Sequence, residues 1–411
     1  MRVLFAPLRE GLSQALQDIF VGGWPADKVV QRHLKSHRKW GSSDRRLFAE
    51  GVYDIVRWWR RLLFACDRTW PLADGAGPEV FLTAVQEVIQ CWCWLNEIDP
   101  GKPPSFTQIL VSSQGALSRW HDRALPRAVR ESLPDWLDAW AFEQLGERWN
   151  QVAPVLNTVA PVYLRANQLK ITPEELVRTL DDENVSAEHV EGDTIRLERR
   201  VNVFLTKAFR AGLFEVQDLH SQRVAPALRV EPGQRIVDAC AGAGGKSLHL
   251  AALMKNKGKI IALDTSGKKL DQLRERSTRA GATCIETRVI DSSKIVKRLR
   301  DSGDRLLLDV PCSGLGVLRR NPDSKWRLTL AEVQRTRTLQ GEILQSYSSI
   351  CKMGGFMVYA TCSILPDENE RQLADFLSRN GSRWEVEMQE TLWPVKDGPD
   401  GFFLARLRRL S

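Results

Sequence analysis

Apolar positions recur at helical spacing through the first 150 residues. In the stretch DRRLFAEGVYDIVRWWRRLLFACD they return every third or fourth position, without the alternation of a strand. Ser42, Ser43 and Asp44 follow Gly41 and read as a helix start. Residues 1–150 are therefore expected to form an all-α domain. Over 151–222 the pattern turns mixed. APVYLRANQLK reads as a short strand and a turn. ITPEELVRTLDDE reads as a helix with Thr172 at its N-cap and Pro173 next, and HVEGDTIRLERRV as a hairpin. This stretch is expected to be a small α/β subdomain.

From about residue 230, short apolar runs alternate with helical ones. RIVDAC, KIIALDTS, ATCIETRVID, RLLLDVP and GFMVYATCS read as strands, and KSLHLAALMKN, KKLDQLRERSTRAG and LAEVQRTRTLQGEILQSYSSICK as helices. ENERQLADFLSRN adds a helix, and WEVEMQE and FFLARLRRL a final strand pair. Such alternation predicts an α/β fold over 223–411: a doubly wound, mainly parallel sheet with right-handed crossovers and an antiparallel edge.

The 411 residues suffice for two or three domains, and 43% apolar with 27% charged residues is an ordinary globular composition. It excludes disorder and collagen as descriptions of the whole chain. No run approaches the roughly 20 uncharged apolar residues of a membrane span. The opening MRVLFAPLREGLSQALQDIF lacks an unbroken apolar core and a small-residue cleavage site, so no secretory signal is expected. Eight cysteines lie without framework spacing, which predicts reduced thiols and a cytoplasmic protein. Cys91 and Cys93, in CWCWL, have no His or Cys pair nearby to complete a zinc site and read as core thiols; no metal is expected. Eleven of the fourteen tryptophans fall in residues 1–150. At helical spacing they read mainly as core, with base stacking as the other use.

The net charge of +8 is unevenly spread. Residues 223–411 carry +10 (32 basic, 22 acidic), and 25–61 hold 10 basic against 4 acidic residues. Both patches suit a polyanionic partner or a plain solvated face. Arg45, Arg46, Arg60 and Arg61 lie in the first.

The chemistry sits in the turns of the α/β half. The first strand runs into Cys240-Ala241-Gly242-Ala243-Gly244-Gly245-Lys246, a glycine turn that lets a nucleotide approach the backbone. Asp264 and Asp291 close the next two strands, where acids can hold the ribose and adenine of a nucleoside cofactor. These features leave S-adenosylmethionine and a nicotinamide cofactor both open. The fourth strand distinguishes them: Asp309, Pro311 and Cys312 stand at its carboxyl end, and Cys362 at that of the fifth, its expected neighbour. Two thiols meeting in one cleft beside an acid suit covalent catalysis and leave a dehydrogenase without explanation.

DACAGAGGKSLHLA, LDVPCSGLGVLRRNPDSKW, YATCSILPDENERQ and DGFFLARL resemble the RNA (cytosine-C5) methyltransferase family, and PVYLRANQLK and EVQDLHSQ resemble its preceding segment. Residues 30–65 are similar to the NusB-like helical domain of bacterial members that modify ribosomal RNA. Ala243 departs from the family's usual proline, and Leu219 and His220 from its usual acid and small residue.

The resemblance implies a class I S-adenosylmethionine-dependent methyltransferase fold after a NusB-like domain and a small α/β subdomain. It implies S-adenosylmethionine as cofactor, held by residues Cys240 to Lys246 with Asp264, Asp291 and Asp309. It implies Cys362 as nucleophile and Cys312 as the residue assisting release of the methylated RNA; the residues alone leave that order open. Asp309 would meet the N3/N4 edge of cytosine, and Lys246 would orient Asp309 or lower a thiol pKa. Arg319, Arg320 and Lys325 are expected to line the RNA path. His220 and His249 read as structural. The expected partner is RNA, 16S ribosomal RNA first and transfer RNA second, with a monomeric protein and no membrane. An RNA-binding assembly factor with an inactive transferase domain is the reading from another class.

Overall fold

The computed structural model describes residues 2–72, 78–102, 111–292 and 294–411. The chain divides into two compact units. The first comprises Met1–Asn157 together with Leu318–Thr329; the second comprises Thr158–Val317 and Leu330–Ser411.

The first unit is helical apart from a two-residue parallel pair, β1 (Arg2–Val3) with β2 (Ile98–Asp99). Its longest helix, Ser42–Ala65, begins where the sequence marks it, and the Asp44 carboxylate accepts from the Gly41 N–H at 3.1 Å. The apolar stripe of this helix, Phe48, Val52, Ile55, Val56, Trp59 and Leu63, is buried against the helices Ala6–Phe20 and Pro78–Leu95. Trp59, Trp92, Cys91 and Cys93 lie in that core, as expected of helix-spaced tryptophans and an apolar C-x-C.

Leu318–Thr329, inside the expected 223–411 domain, belongs to the helical unit. Arg57 Nη2 donates to the Arg319 carbonyl (2.9 Å), Lys325 Nζ to the Arg57 carbonyl (2.8 Å) and to Asn157 Oδ1 (3.2 Å), and Trp326 Nε1 to the Val56 carbonyl (2.7 Å). Arg319 and Lys325 are 1% and 2% exposed, so the expectation that they line an RNA path is corrected: both are core residues of the helical unit. Burial depresses the Lys325 ammonium well below its ordinary pKa, with Arg57 adding to it. Arg320 is half-buried.

Three of the four arginines expected on phosphates in the basic stretch make contacts within the helical unit. Arg45 donates to the Trp40 and Leu34 carbonyls and Arg60 to that of Leu133; Arg61 donates to those of Arg130 and Trp120 while lying 4.4 Å over the Trp120 ring. Of these four only Arg46 is exposed.

The second unit contains two sheets. The smaller is antiparallel, in the order β4-β5-β3-β6, from β3 (Tyr163–Ala166), β4 (Ala187–Glu191), β5 (Thr194–Leu197) and β6 (Phe214–Val216). The helix Pro173–Asp182 packs on it. Its start is capped from both sides: Thr172 Oγ1 accepts from Glu175 N, and the Glu175 carboxylate accepts from Thr172 N.

The larger sheet has seven strands: β7 (Arg235–Asp238), β8 (Lys259–Asp264), β9 (Ile285–Val289), β10 (Gly303–Asp309), β11 (Cys351–Thr361), β12 (Trp384–Leu392) and β13 (Phe402–Arg409). Their order is β12-β13-β11-β10-β7-β8-β9. The five strands from β11 to β9 are parallel, and β13 and β12 form the antiparallel edge. Alternate residues enter separate cores: Ile236, Leu307, Val358 and Leu404 on one face, Val237, Leu306, Tyr359 and Phe403 on the other. Covering both faces explains why these strands read as continuous apolar runs. The order reverses between β10 and β7, which opens a crevice beyond their carboxyl ends. No helix of the described residues is long and apolar enough to cross a membrane.

Candidate active site

The five parallel strands deliver the predicted residues to one end of the sheet. β7 leads into the glycine turn. Gly242 and Gly244 have φ of 54° and 85°, in the left-handed region that favours glycine. A Cβ on Gly244 would lie 2.0 Å from Leu273 Cδ1, whereas one on Gly242 would meet nothing within 4 Å. Gly244 is thus required by packing, and Gly242 leaves the turn open to a ligand. Asp264, at the end of β8, braces the turn: one carboxylate oxygen accepts from Gly242 N at 2.9 Å and the other from Ser266 N at 2.8 Å. Asp291 follows β9 and is exposed.

These residues fit the cofactor that the resemblance implies. The Asp264 oxygens keep lone pairs for a ribose diol. Beneath the turn, Asp238 Oδ1 is buried without a hydrogen-bond partner, an acceptor available to an ammonium donor. Burial raises the Asp238 carboxyl to about 7, against the opposing hydrogen bond from Ser247 Oγ to its other oxygen (2.6 Å). Asp238 was not singled out in the sequence, although an acid closing the apolar run RIVD was visible there.

That raised value has a measurable consequence. A carboxyl whose folded-state pKa exceeds its unfolded one contributes stability below the ordinary carboxylate range and loses it as pH rises through about 7. The ligand-free protein is expected to lose up to ~4 kcal/mol relative to Asp238→Asn on going from pH 4 to pH 8. Chemical denaturation across that range measures it, and parallel profiles for the two proteins would show that Asp238 ionises without penalty.

The reactive groups stand on β10 and β11, which pair in register from Arg305–Phe356 to Asp309–Ala360. Cys312 and Cys362 follow the two strand ends, and their sulfurs are 3.1 Å apart as free thiols. The Cys312 pKa is raised well above the ordinary thiol value, first by its hydrogen bond to Cys362 and then by burial, so Cys312 keeps its proton. Lys246, at the start of the helix Gly245–Leu253, donates to Asp309 Oδ2 at 2.6 Å and lies over the Phe402 ring. Burial opposes the Lys246 charge, but Asp309 outweighs it and, with Cys362 nearby, raises its pKa. Cys240 lies in the turn, its pKa raised by burial and by Asp238.

The sequence reading also missed Glu368. Its carboxylate is fully buried and accepts from Ser313 N (2.7 Å), Ser313 Oγ (2.5 Å) and Gln340 Nε2 (3.1 Å). Gln340 in turn donates to the Pro311 carbonyl at 2.8 Å. Together they hold the loop that carries Cys312. Gly316 N donates to the Cys362 carbonyl at 3.0 Å and joins the two cysteine loops directly. His220 and His249 are structural: His220 Nδ1 meets the Asp400 carbonyl at 2.6 Å, and His249, its pKa lowered to about 4 by burial, pairs with Asp193.

The family model for 16S rRNA methyltransferase RsmB/F matches residues 225–408, and the RsmF/B-like ferredoxin-like domain model matches 133–204. A probable ribosomal RNA small subunit methyltransferase B of Synechocystis sp. is 30% identical over 93% of this chain and 94% of its own length. The ribosomal RNA small subunit methyltransferase B of Pasteurella multocida is 33% identical over 67% of this chain, and the match spans 65% of that relative. Among solved structures, PH0851 superposes with a TM-score of 0.80 over 99% of this chain and all of its own, at 24% identity. A methyltransferase homolog from Pyrococcus horikoshii has a TM-score of 0.61 and 26% identity, over 69% of this chain and 97% of its own.

Proposed function

Because the chain belongs to the RsmB/F family of 16S rRNA methyltransferases, whose methyl donor is S-adenosylmethionine, we propose that it methylates C5 of a cytosine in small-subunit ribosomal RNA through a covalent adduct on Cys362. The observation that carries this reading is the pair of thiols 3.1 Å apart at adjacent strand ends.

C5 of cytosine is too weak a nucleophile to be methylated directly. Cys312 retains its proton, because its hydrogen bond to Cys362 and burial both oppose ionisation. The Cys362 thiolate adds to C6, and the C5–C6 π pair becomes available at C5. Asp309, oriented by Lys246, meets the N3/N4 edge as charge develops in the ring. S-adenosylmethionine, held by the open glycine turn, Asp264 and Asp291, supplies an electrophilic methyl group when bound. A base then removes the C5 proton, the C5–C6 double bond re-forms, and the C6–S electron pair returns to Cys362. Cys312 is suited to assist at that stage. Its leading restraint on ionisation is the hydrogen bond to Cys362, which changes once that sulfur is bonded to carbon. The target base must leave its helix or loop to enter the cleft.

The test uses methyl-labelled S-adenosylmethionine with deproteinised 16S ribosomal RNA and transfer RNA. Label at C5 of cytosine in the ribosomal pool is the expected result. No label at C5 in either pool would refute the enzyme reading, and label confined to transfer RNA would move the substrate.

A further inference from the structure

The segment 198–210, ERRVNVFLTKAFR, links β5 to β6 and takes no part in the chemistry above. It carries four cations, Arg199, Arg200, Lys207 and Arg210, against the single acid Glu198. All four are exposed, and none enters an ion pair among the described residues. Their neighbours behave differently. Arg223 pairs with Glu191, and Arg276 and Arg279 both pair with Glu215. The four cations are therefore without a carboxylate partner, whereas Arg223, Arg276 and Arg279 nearby each have one.

Apolar side chains are interleaved with them. Phe204 is 55% exposed and Leu205 67%. Phe204 meets Phe209 edge-on at 5.0 Å, and Arg279 lies over the Phe209 ring at 4.0 Å. The Phe204 ring is thus propped in place while much of it faces solvent. It borders a hollow of about 390 Å³ that reaches Ala243 of the glycine turn and Arg276, whose Nη1 donates to the Ala243 carbonyl at 2.7 Å. The hollow joins this surface to the cofactor turn.

We propose that residues 199–210 bind a single-stranded stretch of the substrate RNA beside the catalytic crevice, with Arg199, Arg200, Lys207 and Arg210 on phosphates and Phe204 stacked on a base. This rests on RNA being the substrate. The chemistry selects the ligand: cations without carboxylate partners meet a phosphate backbone, and an exposed, propped ring meets a base face, which only an unpaired strand presents. A duplex would engage the cations but not Phe204. The surface lies outside the helical stretch where the basic count first pointed, and where Arg45, Arg60 and Arg61 are consumed by carbonyls.

The experiment titrates the full-length protein, by fluorescence anisotropy, against a labelled single-stranded oligoribonucleotide and its duplex over a range of salt. The combined R199A/R200A/K207A/R210A variant is expected to weaken single-strand binding at least ~10-fold and to flatten the salt slope by roughly two to three. Phe204→Ala should weaken single-strand binding roughly 10-fold, leave the duplex unchanged, and be rescued by Phe204→Trp. With ribosomal RNA as substrate, both variants should raise KM and leave kcat unaltered. Unchanged affinity and slope in the quadruple variant would overturn the surface. Equal loss on single strand and duplex for Phe204→Ala would overturn the stacking. If the quadruple variant lost affinity for anionic phospholipid vesicles but not for RNA, the surface would be a membrane contact and the proposal wrong. C5 labelling assayed in parallel keeps the two readings apart. A methylating parent whose variants bind RNA normally refutes this surface alone; a non-methylating parent whose variants lose single-strand binding refutes the reaction alone.

Discussion

Cys362→Ala is expected to reduce methyl transfer by ~10⁴-fold or more, the scale for deleting the nucleophile of a covalent mechanism. The expectation follows from geometry. Cys362 Sγ stands 3.1 Å from Cys312 Sγ at the adjacent strand end, and that contact together with burial keeps Cys312 protonated. Losing one half-buried sulfur should barely disturb the surroundings, because Thr361, Ser363 and Asn369 fix that loop by their own hydrogen bonds: Thr361 Oγ1 to Asn369 Oδ1 at 2.6 Å, and Asn369 Nδ2 to the Ser363 carbonyl at 3.0 Å. S-adenosylmethionine affinity, measured by calorimetry, should therefore remain within a few-fold of the parent. Single-turnover methylation within ten-fold of the parent would remove Cys362 from the mechanism.

Cys312→Ala should behave in the opposite sense and trap the reaction midway. Addition to C6 and methylation of C5 need only Cys362, so the variant should form the covalent RNA–protein species. Release should slow by roughly 10²–10⁴-fold, the usual contribution of a positioned acid or base. A denaturing gel after incubation with RNA and S-adenosylmethionine should show a shifted band that Cys362→Ala lacks. A band with Cys362→Ala and none with Cys312→Ala would exchange the two roles. The double variant should give no band, since the species requires one nucleophilic sulfur.

How much of this was readable from the amino acids depended on distance along the chain. The strands of the large sheet, and the meeting of Asp309, Cys312 and Cys362 at its carboxyl edge, follow from local pattern and a simple rule of strand adjacency. The glycine turn was likewise legible because its conformational demand is local. Glu368 was not, because its role comes from accepting hydrogen bonds 55 residues away, at Ser313. The misplaced residues share a cause. Charge in a sequence suggests surface, yet Arg57 and the Arg319 carbonyl, 262 residues apart, meet in a buried network no local pattern records. Conversely, the basic segment 199–210 was hidden within a region whose summed charge is negative.

The sharing of Leu318–Thr329 with the helical unit bears on how this protein can be dissected. Neither half can be isolated by a single stop codon or one protease cut, because the polypeptide leaves the catalytic half just past Cys312 and returns to it at Leu330. Excising the first 157 residues would strip Lys325 and Trp326 of the carbonyls they donate to and the Arg319 carbonyl of its donor, and would leave all three on the strap that follows Cys312. A shortened chain would need that twelve-residue strap redesigned before any loss of activity could be blamed on missing RNA contacts.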